Sequence, residues 1–185
     1  MHPQKHIGPA GSVSLGQLPS CFTLDPNGAA SVMTATIDDG SNDACGLAGL
    51  TLSKSAFACT DAGRNTVQLT ATDHSGNQHA CSATVSVRKR ASQIVLGGAA
   101  TGQYSDPVPL RATLTDAVTG GGLAGRAVLF TVGARSASAT TGGNGVALAP
   151  ASLTAGEAGG SVAVGAGFAG DCTYTASNAA DTSIR

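Results

Sequence analysis

In the stretch Thr66-Val67-Gln68-Leu69-Thr70-Ala71-Thr72, polar and apolar side chains alternate residue by residue. Only a β-strand has a side-chain period of two, so Val67, Leu69 and Ala71 share one face and the other is left to water. The polar turn His74-Ser75-Gly76-Asn77 follows. A second alternating run then has Cys81, Ala83, Val85 and Val87 on one face and Ser82, Thr84 and Ser86 on the other. Two patterned strands around turn residues predict a β-hairpin. Upstream, Asp25-Pro26-Asn27-Gly28 is a turn signal between a short strand at 21–24 and a longer one expected at 29–37. These elements define a first module over residues 18–88, with residues 1–17 as a leader or the remnant of a preceding segment.

The second half repeats the style with different residues. Val108, Leu110, Ala112 and Leu114 alternate with Pro109, Arg111, Thr113 and Thr115. Val128, Phe130 and Val132 form another inward face, Gly142-Gly143-Asn144-Gly145 turns the chain, and Val162, Val164, Ala166 and Phe168 complete the expected core. Pro107 and Pro109 belong at a strand start or edge, because neither can donate to a ladder. Short strands at this spacing, separated by turn signals, predict a sandwich. The second module spans 92–185, with a final strand at 182–185 that looks truncated. Between the modules, Arg88-Lys89-Arg90-Ala91-Ser92 holds three of the ten basic residues. Residues 89–91 therefore read as a solvated basic linker.

Composition narrows the class. Of the 185 residues, 11% are charged, 3% are aromatic and 26 are glycine. That mixture favours turns and strands over long helices. A net charge of −1 supplies no field to recruit nucleic acid. No apolar run approaches the ~20 residues needed to cross a bilayer, so no transmembrane segment is expected. Residues 1–20 lack the apolar core of a secretory signal, and an exported chain would then be a piece of a longer one. Cys21, Cys45, Cys59 and Cys81 fall in the first half, with Cys172 alone in the second and no CxxC pair. Four cysteines in a low-charge β chain read best as two disulfides, which implies an oxidising compartment. Four reduced, buried thiols are the alternative, and the count alone allows three pairings.

Residues 21–87 resemble the bacterial branch of the hyalin-repeat (HYR) family, an immunoglobulin-like module. The resemblance rests on Cys21, Asp25-Pro26-Asn27-Gly28-Ala29-Ala30, Ile37 to Gly46, Leu52 to Cys59, Gly63-Arg64-Asn65-Thr66-Val67, Thr72 to Asn77, and Cys81. Residues 92–178 resemble the bacterial Ig-like repeat of long surface proteins and adhesins. That likeness is carried by Tyr104 to Val108, Leu123 to Val128, Thr140 to Val146, Phe168-Ala169-Gly170-Asp171 and Tyr174. Cys172 departs from the pattern, where a small or polar residue is usual, and Thr119 to Gly122 is longer than typical. The resemblance implies an all-β chain of two tandem immunoglobulin-like β-sandwich modules. It also implies an opening and a closing cysteine in the first module, hence a Cys21–Cys81 bridge, which leaves Cys45–Cys59. Cys172 is then expected as an unpaired thiol.

Other candidate sites are few. Asp38, Asp39, Asn42 and Asp43 could offer calcium its hard oxygen ligands, with Asp73 or Asn77 as a further donor. Asx-turns explain the same residues without a metal, and the spacing is not that of an EF-hand. Calcium is the only cofactor these residues suggest, and none is required. Asp73, His74 and Ser75 are adjacent in one turn, so their side chains cannot form a catalytic relay. Glu157 is the chain's only glutamate, and no GxSxG, HExxH or phosphate-loop motif occurs. The expected function is that of a non-catalytic structural or adhesive repeat of a secreted or cell-surface protein. It would act as a spacer or a contact with neighbouring Ig-like modules or identical subunits, within an extracellular fibre in the strongest form of the reading. The alternative is an accessory module of a secreted enzyme that binds a surface glycan or another ligand; the absence of Trp weakens it.

Overall fold

A computed structural model describes residues 21–43, 46–98, 109–151 and 161–181. The chain divides into two compact units, residues 1–89 and 90–185. Each has its own apolar core.

The first unit contains β1 (Phe22–Thr23), β2 (Ala29–Ser31), a helical turn α1 (Thr34–Ile37), β3 (Leu47–Leu52), β4 (Ala56–Ala58), a 3-10 turn at Cys59–Asp61, β5 (Gly63–Asp73) and β6 (Gln78–Arg88). One sheet has the order β1-β6-β5-β3, and β2 and β4 form a second, two-stranded sheet. The β5–β6 hairpin is the one the alternation predicts, with Val67 opposite Ala83 and Leu69 opposite Cys81. Its turn is closed by the Asp73 carboxylate, which accepts the backbone N–H groups of Ser75 and Asn77, and by Gly76 at φ +83°. Leu24, Val32, Ile37, Phe57, Val67, Leu69, Ala83, Val85 and Val87 make the core.

The strand expected over 29–37 is not continuous. β2 ends at Ser31, and a single helical turn begins at Thr34. Parity explains the break. Val32 and Ile37 are five positions apart, so a straight strand would bury one and expose the other. The turn brings both into the core and leaves Met33 73% exposed.

The second unit contains β7 (Ser92–Gly98), β8 (Leu110–Asp116), β9 (Ala127–Val132), β10 (Arg135–Thr140), β11 (Val146–Leu148), β12 (Val164–Phe168) and β13 (Ser177–Asp181). One sheet runs β10-β9-β12-β13 and the other β11-β8-β7. First, second and fifth strands therefore share one sheet, and third, sixth and seventh the other. This is the Greek-key partition of an immunoglobulin-like sandwich, with the fourth strand placed beside the third. The inner faces supply Leu110, Ala112, Leu114, Val128, Phe130, Val132, Val164, Ala166 and Phe168 to the core. All nine belong to the alternating sets read from the sequence. Val162 is half-buried at the margin, while Val108, Pro107 and residues 182–185 lie outside the described residues. In the turn after β10, Gly145 (φ +77°) donates to Gly142, and its carbonyl accepts Leu114 N–H at 2.9 Å. A Cβ at this position would collide with the Leu114 carbonyl oxygen and with Leu123.

The chain is thus all-β and built as two immunoglobulin-like sandwiches in tandem. Phe130→Ala is expected to destabilise the second unit by about 3–5 kcal/mol through the cavity it leaves. Gly145→Ala should cost about 1–3 kcal/mol from the forced positive φ alone. Denaturant titration of each variant measures both losses.

Candidate functional site

Alternation along β8 puts Leu110, Ala112 and Leu114 inward and carries one position further, to Asp116. That carboxylate is 2% exposed, and a buried charge is tolerated only when paired and hydrogen-bonded. Its cation is Arg90, 8% exposed, whose Nε donates to Asp116 Oδ2 at 2.6 Å. Tyr174, 2% exposed, donates its hydroxyl to the same oxygen at 3.1 Å. The other oxygen accepts the backbone N–H groups of Val118 and Thr119 at 2.8 and 3.1 Å, closing the turn after β8.

Backbone contacts hold the cluster in place. Arg90 N–H donates to Thr173 carbonyl and Thr175 N–H donates to Arg90 carbonyl, both at 2.8 Å, in a parallel bridge opposite Tyr174. Asp171 accepts Thr173 and Tyr174 N–H groups, bending the chain so that Tyr174 turns inward. Arg126 pairs with Asp171 from outside at 2.9 Å. The hydrogen bond from Arg90 holds the Asp116 carboxyl far below the ordinary carboxylate range, overriding the opposing effect of burial. Burial, and then the bond to Asp116, push the Tyr174 phenol up. Arg90 is therefore not part of a solvated linker, as the basic run suggested; it is the first residue of the second unit and is anchored inside it. The inward parity of position 116 was the sequence signal for this cluster.

The cysteines depart from the expected arrangement. β1 does run beside β6, but in parallel and with Phe22 opposite Val87. Cys21 therefore lies level with Ser86, five residues from Cys81. At ~3.3 Å per residue the separation is roughly 16 Å, against the ~4.4–6.8 Å that a disulfide spans. Cys21 is a free thiol, half-buried, and the Cys21–Cys81 bridge is not formed. Cys59, at the start of the 3-10 turn, is disulfide-bonded. Cys45 lies outside the described residues, and with it the expected Cys45–Cys59 pairing. Cys172, expected as an unpaired thiol, is disulfide-bonded. The bend at Asp171 that buries Tyr174 leaves Cys172 exposed in a surface turn, where it can be oxidised.

In the acidic loop, Asp38 accepts Ser41 N–H at 3.0 Å and the Asn42 amide donates weakly to Gly40 carbonyl at 3.4 Å. Asp39 is exposed, and the Asp43 carbonyl accepts Gly46 N–H. Asp73 uses its carboxylate in its own turn, including a bond from the Asn77 side-chain amide at 2.7 Å. Among the described residues, no three His, Cys, Asp or Glu side chains converge in a metal-ligating group.

No protein-family model matches the chain, and no curated protein does. Among solved structures the chain is similar to a tetra-tandem repeat in the extending region of a large adhesion protein. That likeness has 15% identity and a TM-score of 0.40, and covers 89% of this chain and 48% of the other. The chain thus spans about half the length of that repeat array. It is also similar to the D00-D0 domain of Intimin, at 15% identity and a TM-score of 0.33, covering 95% of this chain and all of that one. The fold assignment rests on strand order and register.

Two outcomes are expected. Asp116 has a depressed folded-state pKa, so its stabilisation is complete above the unfolded value near 4 and fades as the pH falls below it. Acid titration of unfolding should show a smaller decline in Asp116→Asn than in the wild type, the remainder coming from other depressed carboxylates such as Asp61 and Asp73. Alkylation of the unreduced protein followed by peptide mapping should label Cys21 and spare Cys172, which becomes labelled only after reduction.

Proposed function

We propose that this chain is a non-catalytic structural or adhesive segment of an extracellular or cell-surface protein. In this reading its first unit is an HYR-like module, its second a bacterial Ig-like repeat, and the pair acts as a spacer or subunit contact. The carrying observation is the use to which the polar side chains are put. Asp25, Asp73, Asp116 and Asp171 each spend a carboxylate on backbone N–H groups of their own turns. Groups committed in this way stiffen loops and are not poised for proton transfer. The oxidised state of Cys59 and Cys172 supports an extracellular setting.

Joining one, two and three copies in a single chain should raise the maximum dimension measured by small-angle X-ray scattering in equal steps. A dimension that saturates as copies are added would remove the spacer reading. A glycan array with a saturable hit would shift the assignment to an accessory binding module.

A further inference from the structure

The alternation that buries Ile94, Ala112 and Ala147 sends the side chains between them to the outer face of the β11-β8-β7 sheet. On that face Thr113 stands between Val95 and Val146, and Arg111 between Gly97 and Leu148. Val95 is 57% and Leu148 65% exposed, and Val146 is half-buried beside them. Neighbouring strands lie about 4.8 Å apart, so the three aliphatic side chains make one patch around Thr113 and Arg111. Among the described residues, the Arg111 guanidinium has neither a hydrogen bond nor an ion pair. An aliphatic patch with an unneutralised cation in its middle suits a partner that is apolar and carries a carboxylate. The same patch on a second copy does not qualify, because two Arg111 side chains would meet.

The first unit has the matching surface. Met33, the most exposed large apolar side chain of that unit, stands at the entry to α1, and Asp39 lies just beyond its end. The Asp39 carboxylate is exposed and, among the described residues, accepts no hydrogen bond and joins no ion pair. One helical turn, with a rise of about 5.4 Å, separates the two. We propose that the outer β11-β8-β7 face receives the Met33–Asp39 corner of a second copy. Met33 settles among Val95, Val146 and Leu148, a role its flexible thioether suits, and the Asp39 carboxylate meets the Arg111 guanidinium. Each chain carries one of each surface, so the contact is heterologous and joins copies head to tail. So few side chains make a weak interface, below ~1,200 Å² in total, which gains by avidity when copies are strung together. The inference rests on the subunit-contact part of the function proposed above and gives that contact its two surfaces.

Sedimentation equilibrium on the whole chain, taken to about 1 mM, tests the contact. The wild type should self-associate as its concentration rises. Arg111→Glu and Asp39→Arg should each weaken association about tenfold or more, because like charges then face each other. Combining both changes in one chain should restore it, and so should an equimolar mixture of the two single variants. Leu148→Ser should weaken association, whereas Leu129→Ser, an exposed leucine on the outer face of the other sheet, should leave it unchanged. All of these positions are at the surface, and unchanged denaturation midpoints check that the fold is intact. The proposal is overturned if the wild type stays monomeric throughout, or if the double variant remains as weak as the single ones. It is equally overturned if Leu129→Ser weakens association as much as Leu148→Ser. Linked copies that lengthen in equal steps without self-association would remove this inference and leave the spacer reading standing. Linked copies that saturate while the charge exchange restores association would do the reverse.

Discussion

Burial of every second side chain is the constraint on which both units depend. Aromatics make up only 3% of the chain, so neither core can be filled by a few large side chains. The interior relies on small and medium residues arriving in register from facing strands: Val67, Leu69, Val85 and Val87 in one unit, and Leu114, Val128, Val132 and Val164 in the other. Each contributes only about 1.5–3 kcal/mol on burial. A register slip by one residue would turn a whole strand's contribution outward at once. Turn chemistry therefore carries unusual weight. The aspartates that cap backbone N–H groups, and glycines such as Gly76 and Gly145 at positive φ, fix where each strand begins.

The buried ion pair answers a different need. Removing one partner from such a pair typically costs about 3–5 kcal/mol, yet replacing both with apolar groups can be neutral or stabilising. Its contribution is thus best understood as geometric. One carboxylate ties together the first residue of the unit, the turn after β8 and the bend before β13. A greasy substitute would fill the space without specifying which three segments must meet there.

How much of this was legible in the sequence varies by element. The β5–β6 hairpin and the inward faces of β8, β9 and β12 are plain from alternation, because packing leaves a period-two record in residue type. The helical turn at Thr34–Ile37 was hidden, since Val32 and Ile37 reveal a parity conflict only once both are known to be buried. Arg90 was misread because three basic residues in a row look like a solvated stretch, and nothing local announces a partner 26 positions away. The cysteines failed for a related reason. A pairing depends on register, and the expectation of an opening and a closing cysteine carries no information on the offset that sets Cys21 beside Ser86.

Asp116 receives two backbone N–H groups, one phenol and one guanidinium. An ionised carboxylate has roughly four acceptor sites, so its lone pairs are fully subscribed. Folding of the second unit accordingly amounts to the capture of an anion that happens to be tethered to the chain. With a short apolar side chain at 116, the same donors would surround a carboxylate-sized void of positive potential. Free formate or acetate could settle there and restore from solution what the side chain no longer provides.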